Sequence, residues 1–431
     1  MKKIKVGIIG VGNCAQSLVE GMQYYNENPN DTVGLMYPDI GGYDTSSVEF
    51  VIGFDVDRRK VNRPLIEALR AKPNCAMNHV QEILESGDNS PGAVSKGAQV
   101  YSSPTLDGVA EWMEYYPEEV SFRVGAESAK SFDDIVSLIK SSGVEVLINY
   151  LPVGSEKATR FYLDVALAAE VHFVNCIPTL IETKETQEIE QKFINAGLTF
   201  VGSDMRSAWG ASRLSEVLQG AMIDGGLHVT YHTQTNRIGG ATQGREHIRN
   251  GVTSNTDFIN MAEKERLHNK HISKENVLKG QNTVRGVDYA GDTLYAGPSL
   301  TVMQKPGGDY VGSDNKIADL DIVAFGFGGA RYTLQARLSC QDSPNSGGVV
   351  ISAIRFCRVA AEMGIVGILR GPSAYTQKTP PVQLTTSDAK FECDALARRE
   401  LTNMTRPQLA KSNPKAKDLP YTYQDGKTDY E

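Results

Sequence analysis

The sequence has no C-x-x-C pair, no histidine cluster, no internal repeat and no excess of positive charge, and each absence removes a class of function. Its six cysteines, Cys14, Cys75, Cys176, Cys340, Cys357 and Cys393, are scattered. That fits a reducing compartment and excludes a zinc site of the usual spacing. The seven histidines are dispersed, and each reads as structural or solvated. A formal charge of −8 argues against a general nucleic-acid or membrane-surface role. An anionic substrate would therefore need a local basic cluster. No apolar run is long enough to span a bilayer. Lys2, Lys3 and Lys5 precede an apolar run, as in a signal peptide, but Gly7, Gly10 and Gly12 break it and no small-residue cleavage site follows. A cytoplasmic protein is expected.

What is present begins at residues 4–17, IKVGIIGVGNCAQS. They read as a buried parallel strand, a Gly10-Val11-Gly12 turn and a helix from Asn13. Such a unit aims backbone N–H groups and the positive helix end at a diphosphate. Ala15 fills the third position of G-x-G-x-x-G/A and still lets helix and strand approach closely. A strand at 48–54 ends at Asp55, whose carboxylate would bond adenosine ribose hydroxyls, as for NAD. The spacing from Gly12 is about twice the usual ~20 residues, so the Gly-, Pro- and Asn-rich segment 26–47 is expected to loop out. Arg58, Arg59 and Lys60 follow and could hold the extra phosphate of NADP. Read instead as a solvated helix start, they leave NAD as the expected cofactor.

Residues 60–143 read as helical patterns separated by loops, including the polar stretch 86–99. Strands at 144–150, 171–175 and 198–201 then alternate with helices, the first of them capped by Ser155. This βαβ succession predicts a right-handed, doubly wound parallel sheet. Ligands there sit at the carboxyl ends of strands, so the loops after Ile9, Phe54, Tyr150, Asn175 and Val201 should line the site. After Gly225-Gly226 the pattern changes. Strands at 227–236, 299–303, 320–325 and 332–340, with one helix at 258–268, predict a second, mixed or antiparallel sheet. Residues 345–363 form an amphipathic helix with Val349, Val350, Ala353, Ile354, Cys357 and Ala361 on one face, packing back onto the first domain.

Two lysines, Lys270 and Lys274, stand four apart, where a shared helix face would favour a bound anion. Ser273 could instead cap a helix starting at Lys274. By composition alone, both lysines read as solvated. The segment 312–316 adds a turn with a carboxylate and an amine, and 341–346 opens the long helix. The runs NTDFINMAEKERLHNKHISK, VGSDNKIAD, CQDSPNSGGVVISAIR and SAYTQKTPP resemble the inositol-3-phosphate synthase family, also called myo-inositol-1-phosphate synthase. GIIGVGNCAQSLVEGMQYY and GLMYPDIGGYDTSSVEFVIGFDVD resemble the opening of its prokaryotic branch. The likeness runs in order from about residue 3 to about residue 385.

The resemblance implies an α/β fold, a Rossmann-like doubly wound parallel sheet with an inserted α+β catalytic and oligomerisation domain. Residues 1–226 would bind NAD, 227–342 would be the insert, 343–410 would return to the first domain, and 411–431 would be a flexible tail. It implies conversion of glucose 6-phosphate to 1D-myo-inositol 3-phosphate by a homotetramer with tightly held NAD. C5 is oxidised, C6 loses a proton, C6 attacks the C1 aldehyde, and C5 is reduced again. The catalytic residues carried over are Lys270, Lys274, Lys316, Lys378 and Asp257. Cofactor contacts fall on Gly10, Val11, Gly12, Asn13, Cys14, Ala15, Asp55, Leu151, Cys176, Asp204, Ser207, Asn255, Asp314, Asp342 and Ser343. Substrate contacts fall on Ser207, Asn255, Asp257, Lys270, Ser273, Lys274, Lys316 and Lys378.

The chemistry suits that cast. A developing enolate needs fixed positive charge, and crowded lysines lower each other's pKa, which would poise one as a base near neutral pH. Lys270 would act at the C5 hydroxyl, Lys316 at the enolate or aldol oxygen, and Lys274 and Lys378 at the phosphate and carbonyl, with Asp257 orienting a lysine. One segment departs from the family. Where Gly-Asp-Asp-x-Lys-Ser is common, this chain has Gly202-Ser203-Asp204-Met205-Arg206-Ser207, losing one carboxylate and exchanging Lys for Arg. Family members use a divalent or a monovalent cation, and no residue cluster here identifies one. The other readings are an NAD-dependent sugar-phosphate dehydrogenase that releases NADH, and a non-catalytic NAD-bound regulator.

Overall fold

The computed structural model describes residues 3–76, 92–109, 118, 123–125, 129–179, 183–238, 277, 293–294, 298–299 and 314–401. The expected helix at 258–268, the expected strand residues 300–303 and the tail 411–431 lie outside them. Strand β1 (Ile4–Ile9) is buried at every position except Lys5, as a central parallel strand requires. It leads into α1 (Asn13–Glu27), and β2 (Val48–Asp55), α2 (Leu65–Arg70) and β3 (Val94–Ser102) follow. Then come α3 (Phe132–Ser142), β4 (Val146–Asn149), α4 (Glu156–Ala169), β5 (His172–Asn175), α5 (Thr183–Asn195) and β6 (Thr199–Val201). A Ser131–Asp134 capping box starts α3, and Gly143 at φ +66° ends it.

With β12 (Gly367–Ile368) these strands form a seven-stranded parallel sheet in the order β12-β6-β5-β4-β1-β2-β3. The order reverses at β1, which pairs with β2 on one side and β4 on the other. A crevice opens at such a switch point, outside the carboxyl ends of the strands. Strand β3 falls in a stretch that reads as loop. It pairs with β2 on one side and meets the short segment 62–64 on the other, so as the sheet's last strand it tolerates the polar Ser95-Lys96-Gly97 run that disguises it.

Helix α6 (Ala211–Asp224) precedes a second sheet, built from β7 (His228–Ile238), β8 (Thr293–Leu294), β9 (Pro298–Ser299), β10 (Asn315–Phe325) and β11 (Arg331–Gln341). Its order is β11-β10-β7-β8, with β9 also on β7, and β10 runs antiparallel to both neighbours. Leu214 and Leu218 of α6 pack under Ala318 and Leu320 of β10. Strand β11 passes directly into α7 (Asp342–Glu362), which returns to the first sheet beside α1, and α8 (Arg370–Thr376) and α9 (Thr386–Ala397) close the described chain.

Helix α7 was expected to bury one face. Val349, Val350, Ala353, Ile354 and Cys357 are buried, but so are Ile351, Ser352, Arg355 and Phe356 on other faces. Segment 26–47 covers them. Tyr37 packs edge-on against Phe356, and the Arg355 guanidinium donates to the carbonyls of Tyr37, Pro38 and Tyr43. The segment is looped out, yet it forms a packed wall.

Two buried histidines give the fold an acid limit. His172 Nδ1 accepts from the Thr199 N–H at 3.1 Å, and the His232 ring lies between Gln219 Oε1 at 2.6 Å and Ser215 Oγ at 3.1 Å. Burial pushes both from their ordinary value of 6.5 down to about 4. The fold thus favours the neutral rings, and the unfolded chain binds protons first. Their contribution is complete above about pH 6.5 and is lost as pH falls towards 4. Urea midpoints should drop from pH 7 to pH 5, and His172→Gln should flatten part of that drop. Identical midpoints at the two pH values would contradict this.

Candidate active site

The site is assembled from the ends of β1, β2, β4, β5 and β6. Gly10 sits at φ +84° and donates its N–H to the Phe54 carbonyl at 2.8 Å. A Cβ at Gly10 would lie 2.8 Å from the Tyr150 carbonyl oxygen, so no side chain fits. A Cβ at Gly12 would meet nothing within 4 Å, because that side faces an open cleft. One glycine makes the turn and the other leaves room. Helix α1 has neither a side-chain cap nor an acidic residue in its first turn, so its terminal N–H groups remain for an anion.

Asp55 braces this loop. Its Oδ2 accepts from the Val11 N–H at 2.8 Å, and its Oδ1 accepts from Val56 and Asp57 N–H groups at 2.7 and 2.9 Å. Lys60 is fully buried beneath, donating to the Val11 carbonyl at 2.7 Å and to Asn74 Oδ1 at 2.8 Å. The Arg58–Lys60 run is therefore no solvated helix start. Lys60 is a strut under the glycine loop, Arg59 Nε bonds Asp57 Oδ1 at 2.8 Å, and Arg58 pairs with Glu118. Lys60 and Arg59 are thus committed to protein partners, while Arg58 stays half exposed in its pair with Glu118. The expected cap Ser155 turns to the Pro152 carbonyl, and the Asp107 carboxylate takes the Lys157 and Ala158 N–H groups of α4 at 2.7 and 3.1 Å.

Buried amides lock the neighbouring strand ends. Asn149 Nδ2 donates to Thr159 Oγ1 and Asn175 Oδ1, and Asn175 Nδ2 donates to Ser203 Oγ, each at 3.0 Å. Ser203, where the family commonly has Asp, thus serves the scaffold. Asp204 follows at φ +61° and accepts from Lys378 Nζ at 3.0 Å; the same ammonium donates to the Met205 carbonyl at 2.7 Å.

Lys316 enters from the second sheet. Its Nζ donates to Asp342 Oδ1 at 3.1 Å. Burial alone would push the lysine down, but the Asp342 charge and hydrogen bond outweigh it and hold the pKa above its ordinary value. Lys316 is thus held protonated, while Lys270 and Lys274, the other members of the expected crowd, lie outside the described residues. The group near neutrality is Asp314, pushed up to about 7 by burial and by the Asp342 charge. Ser343 binds it twice, through N–H at 2.9 Å and Oγ at 2.8 Å. Cys14 Sγ lies 3.9 Å from Ser343 Oγ, and burial pushes that thiol up to about 11, so it stays protonated.

Gly10, Gly12, Asn13, Cys14, Asp55, Leu151, Cys176, Asp204, Ser207, Asp314, Asp342 and Ser343 line one cleft, together with Lys316 and Lys378. Val11 and Ala15 are buried and do not line it. Asn255, Asp257, Lys270, Ser273 and Lys274 lie outside the described residues. Sequence reasoning missed Ser103, Asp107 and Ser346 on the cleft wall, since nothing in their local pattern marks them. The uncapped helix, the open side of Gly12 and Asp55 together fit a dinucleotide. Among the described residues no group of His, Cys, Asp and Glu is arranged to hold a metal ion, and no helix is long and apolar enough to cross a membrane.

Residues 210–343 match the family described as Myo-inositol-1-phosphate synthase. The inositol-3-phosphate synthase of Mycobacterium tuberculosis (strain CDC 1551 / Oshkosh) is 36% identical over 396 residues, covering 91% of this chain and 95% of that protein. The enzyme of the same name from Mycolicibacterium smegmatis is 36% identical over 397 residues, covering 91% and 97%. Among solved structures, Ari2 aligns with a TM-score of 0.65 at 26% identity, covering 93% of this chain and 99% of that one.

Proposed function

The chain belongs to the inositol-3-phosphate synthase family, and we propose that it converts glucose 6-phosphate to 1D-myo-inositol 3-phosphate, with NAD regenerated in every cycle. The observation that carries this reading is the pair of carboxylate-bound ammoniums, Lys316 and Lys378, lining the same cleft as the glycine loop. A sugar-phosphate dehydrogenase needs fixed charge for the phosphate; the cyclisation needs it also at the enolate or aldol oxygen, and two separate ammoniums suit both demands.

Bound NAD supplies a hydride acceptor for C5 and later the hydride that restores it. The uncapped end of α1 would hold the diphosphate, and the Asp55 carboxylate would take the adenosine ribose hydroxyls. Lys316, kept protonated by Asp342, stabilises the negative charge that develops on the enolate or aldol oxygen. Lys378 is anchored by Asp204 and attracts the phosphate or C1 carbonyl oxygen as a point charge. Asp314, near neutrality and bonded by Ser343, is suited to exchange a proton beside Lys316. Lys270 serves the C5 hydroxyl, Lys274 shares the anion, Asp257 orients a lysine, and Asn255, Ser207 and Ser273 bond substrate oxygens. The second sheet serves as the oligomerisation surface of a homotetramer.

The test incubates the purified chain with glucose 6-phosphate and NAD, following product by phosphorus NMR and NADH by absorbance. Inositol phosphate should accumulate with no net NADH. A steady rise in NADH with a sugar-acid phosphate as product would replace the reading by a dehydrogenase. NAD binding without turnover would make the chain a regulator.

A further inference from the structure

Arg206 stands where the family commonly carries Lys, and its surroundings give it work that a lysine would do poorly. Segments 203–206 and 376–379 are zipped together. Ser203 and Thr379 exchange N–H···O bonds at 3.0 and 3.1 Å, the Lys378 N–H donates to the Asp204 carbonyl at 2.6 Å, and the Arg206 N–H donates to the Thr376 carbonyl at 2.8 Å. The Arg206 side chain, 3% exposed, closes the zipper. Its Nε donates at 2.7 Å to the carbonyl of Gln377, the peptide that joins Gln377 to Lys378. Its Nη1 donates at 2.8 Å to Glu216 Oε2.

Glu216 is 4% exposed on α6, the helix that packs under β10, the strand carrying Lys316. Arg213 Nη1 reaches the same Oε2 at 3.4 Å, and its guanidinium lies 5.4 Å from the centre of the Tyr375 ring. One planar fork thus joins the Lys378 peptide to the helix beneath the other ammonium. A lysine would have to serve both acceptors from a single nitrogen. Stability is a poor reason for keeping the pair. A buried ion pair gains little over an apolar replacement, and Arg206 Nη2 and Glu216 Oε1 have no hydrogen-bond partner among the described residues.

We propose that Arg206 and Glu216 form a positioning pair that fixes Lys378 relative to Lys316 across the cleft, and so sets how the anionic sugar is gripped between them. The inference rests on the functional reading above. It is tested with the full chain in Arg206→Met, Arg206→Lys and the double replacement of Arg206 and Glu216 by Met, which leaves no buried charge unpaired and keeps the test alive where the single variant fails to fold. Three quantities are measured beside wild type: NAD affinity and glucose 6-phosphate affinity by calorimetry, and kcat and KM for cyclisation. A displacement of about 1 Å can cost up to about a hundredfold in rate. The Met variants should therefore lose about ten- to a hundredfold in kcat/KM and bind the sugar phosphate more weakly, with NAD affinity unchanged. Arg206→Lys should recover part of the loss. A double variant matching wild type in sugar-phosphate affinity and in kcat/KM overturns the pairing. A wild-type chain that binds glucose 6-phosphate but makes no inositol phosphate overturns the functional reading instead, while the affinities still judge the pair.

Discussion

Lys316→Met is expected to lower turnover by about a hundred- to a thousandfold while NAD remains bound. Met keeps the unbranched apolar stem, so the change removes charge and little packing. The ammonium is held by Asp342 at 3.1 Å, and that carboxylate outweighs the burial that would otherwise deprotonate it. Lys316 is therefore a permanent positive charge, suited to an oxygen that becomes anionic only as the reaction proceeds. Catalysis needs an interaction that is stronger in the transition state than with bound substrate. The loss should accordingly fall on kcat more than on KM. With the lysine gone, the ion pair with Asp342 is lost and the Asp342 charge presses harder on Asp314, already at about 7. The acidic limb of the pH–rate profile should move up in the variant's residual activity. NAD affinity is read by calorimetry and product by phosphorus NMR. Full turnover by this variant would remove Lys316 from the chemistry.

The parts of this molecule that were legible in sequence are those fixed by neighbours close along the chain. Gly10, Gly12 and Asp55 belong to a local strand–turn–helix pattern, and the alternation of strands and helices from 144 to 201 shows the parallel sheet. Contacts between distant residues were not legible. Lys60 sits in a basic run that looks solvated, and only the fold shows the Val11 carbonyl and Asn74 above it. Asp107 caps a helix that begins about fifty residues later, in place of the adjacent Ser155. Lys316 illustrates both cases. The resemblance singled it out, but its charge state depends on the hairpin register that pairs it with Cys340, two residues before Asp342. Crowding among lysines suggested that one would have a lowered pKa; at Lys316 a carboxylate at the head of the helix after the next strand holds the pKa up. Strand β3 was hidden because edge strands need no continuous apolar run.

Arg355→Met should be the most destabilising single change away from the cleft, costing about 3–5 kcal/mol. The guanidinium is 0% exposed and spans an unusual set of acceptors. Nε donates back to the Ile351 carbonyl at 3.1 Å, Nη1 to Pro38 and Tyr43 carbonyls at 3.1 Å, and Nη2 to the Tyr37 carbonyl at 2.8 Å. Burial pushes its pKa down to about 10, opposed by the Asp39 and Asp44 carboxylates, so it remains charged at neutral pH. Removing it strands loop carbonyls against an apolar helix, at about 1–3 kcal/mol for each buried group left unbonded. Met fills much of the volume, so the cost is polar and no cavity explanation competes. Lysine should not rescue, because one ammonium cannot reach acceptors arranged around a planar fork. The wall formed by residues 37–43 then loses its grip on α7, whose first turn carries Asp342 and Ser343. At temperatures where the variant is still folded, that first turn keeps its bonds to Asp314, and kcat per folded molecule should stay near wild type. Urea denaturation followed by fluorescence and by residual activity checks both halves of the prediction. A variant with the wild-type midpoint would mean that segment 26–47 finds other partners for its carbonyls, and that Arg355 is not what fastens it to the helix.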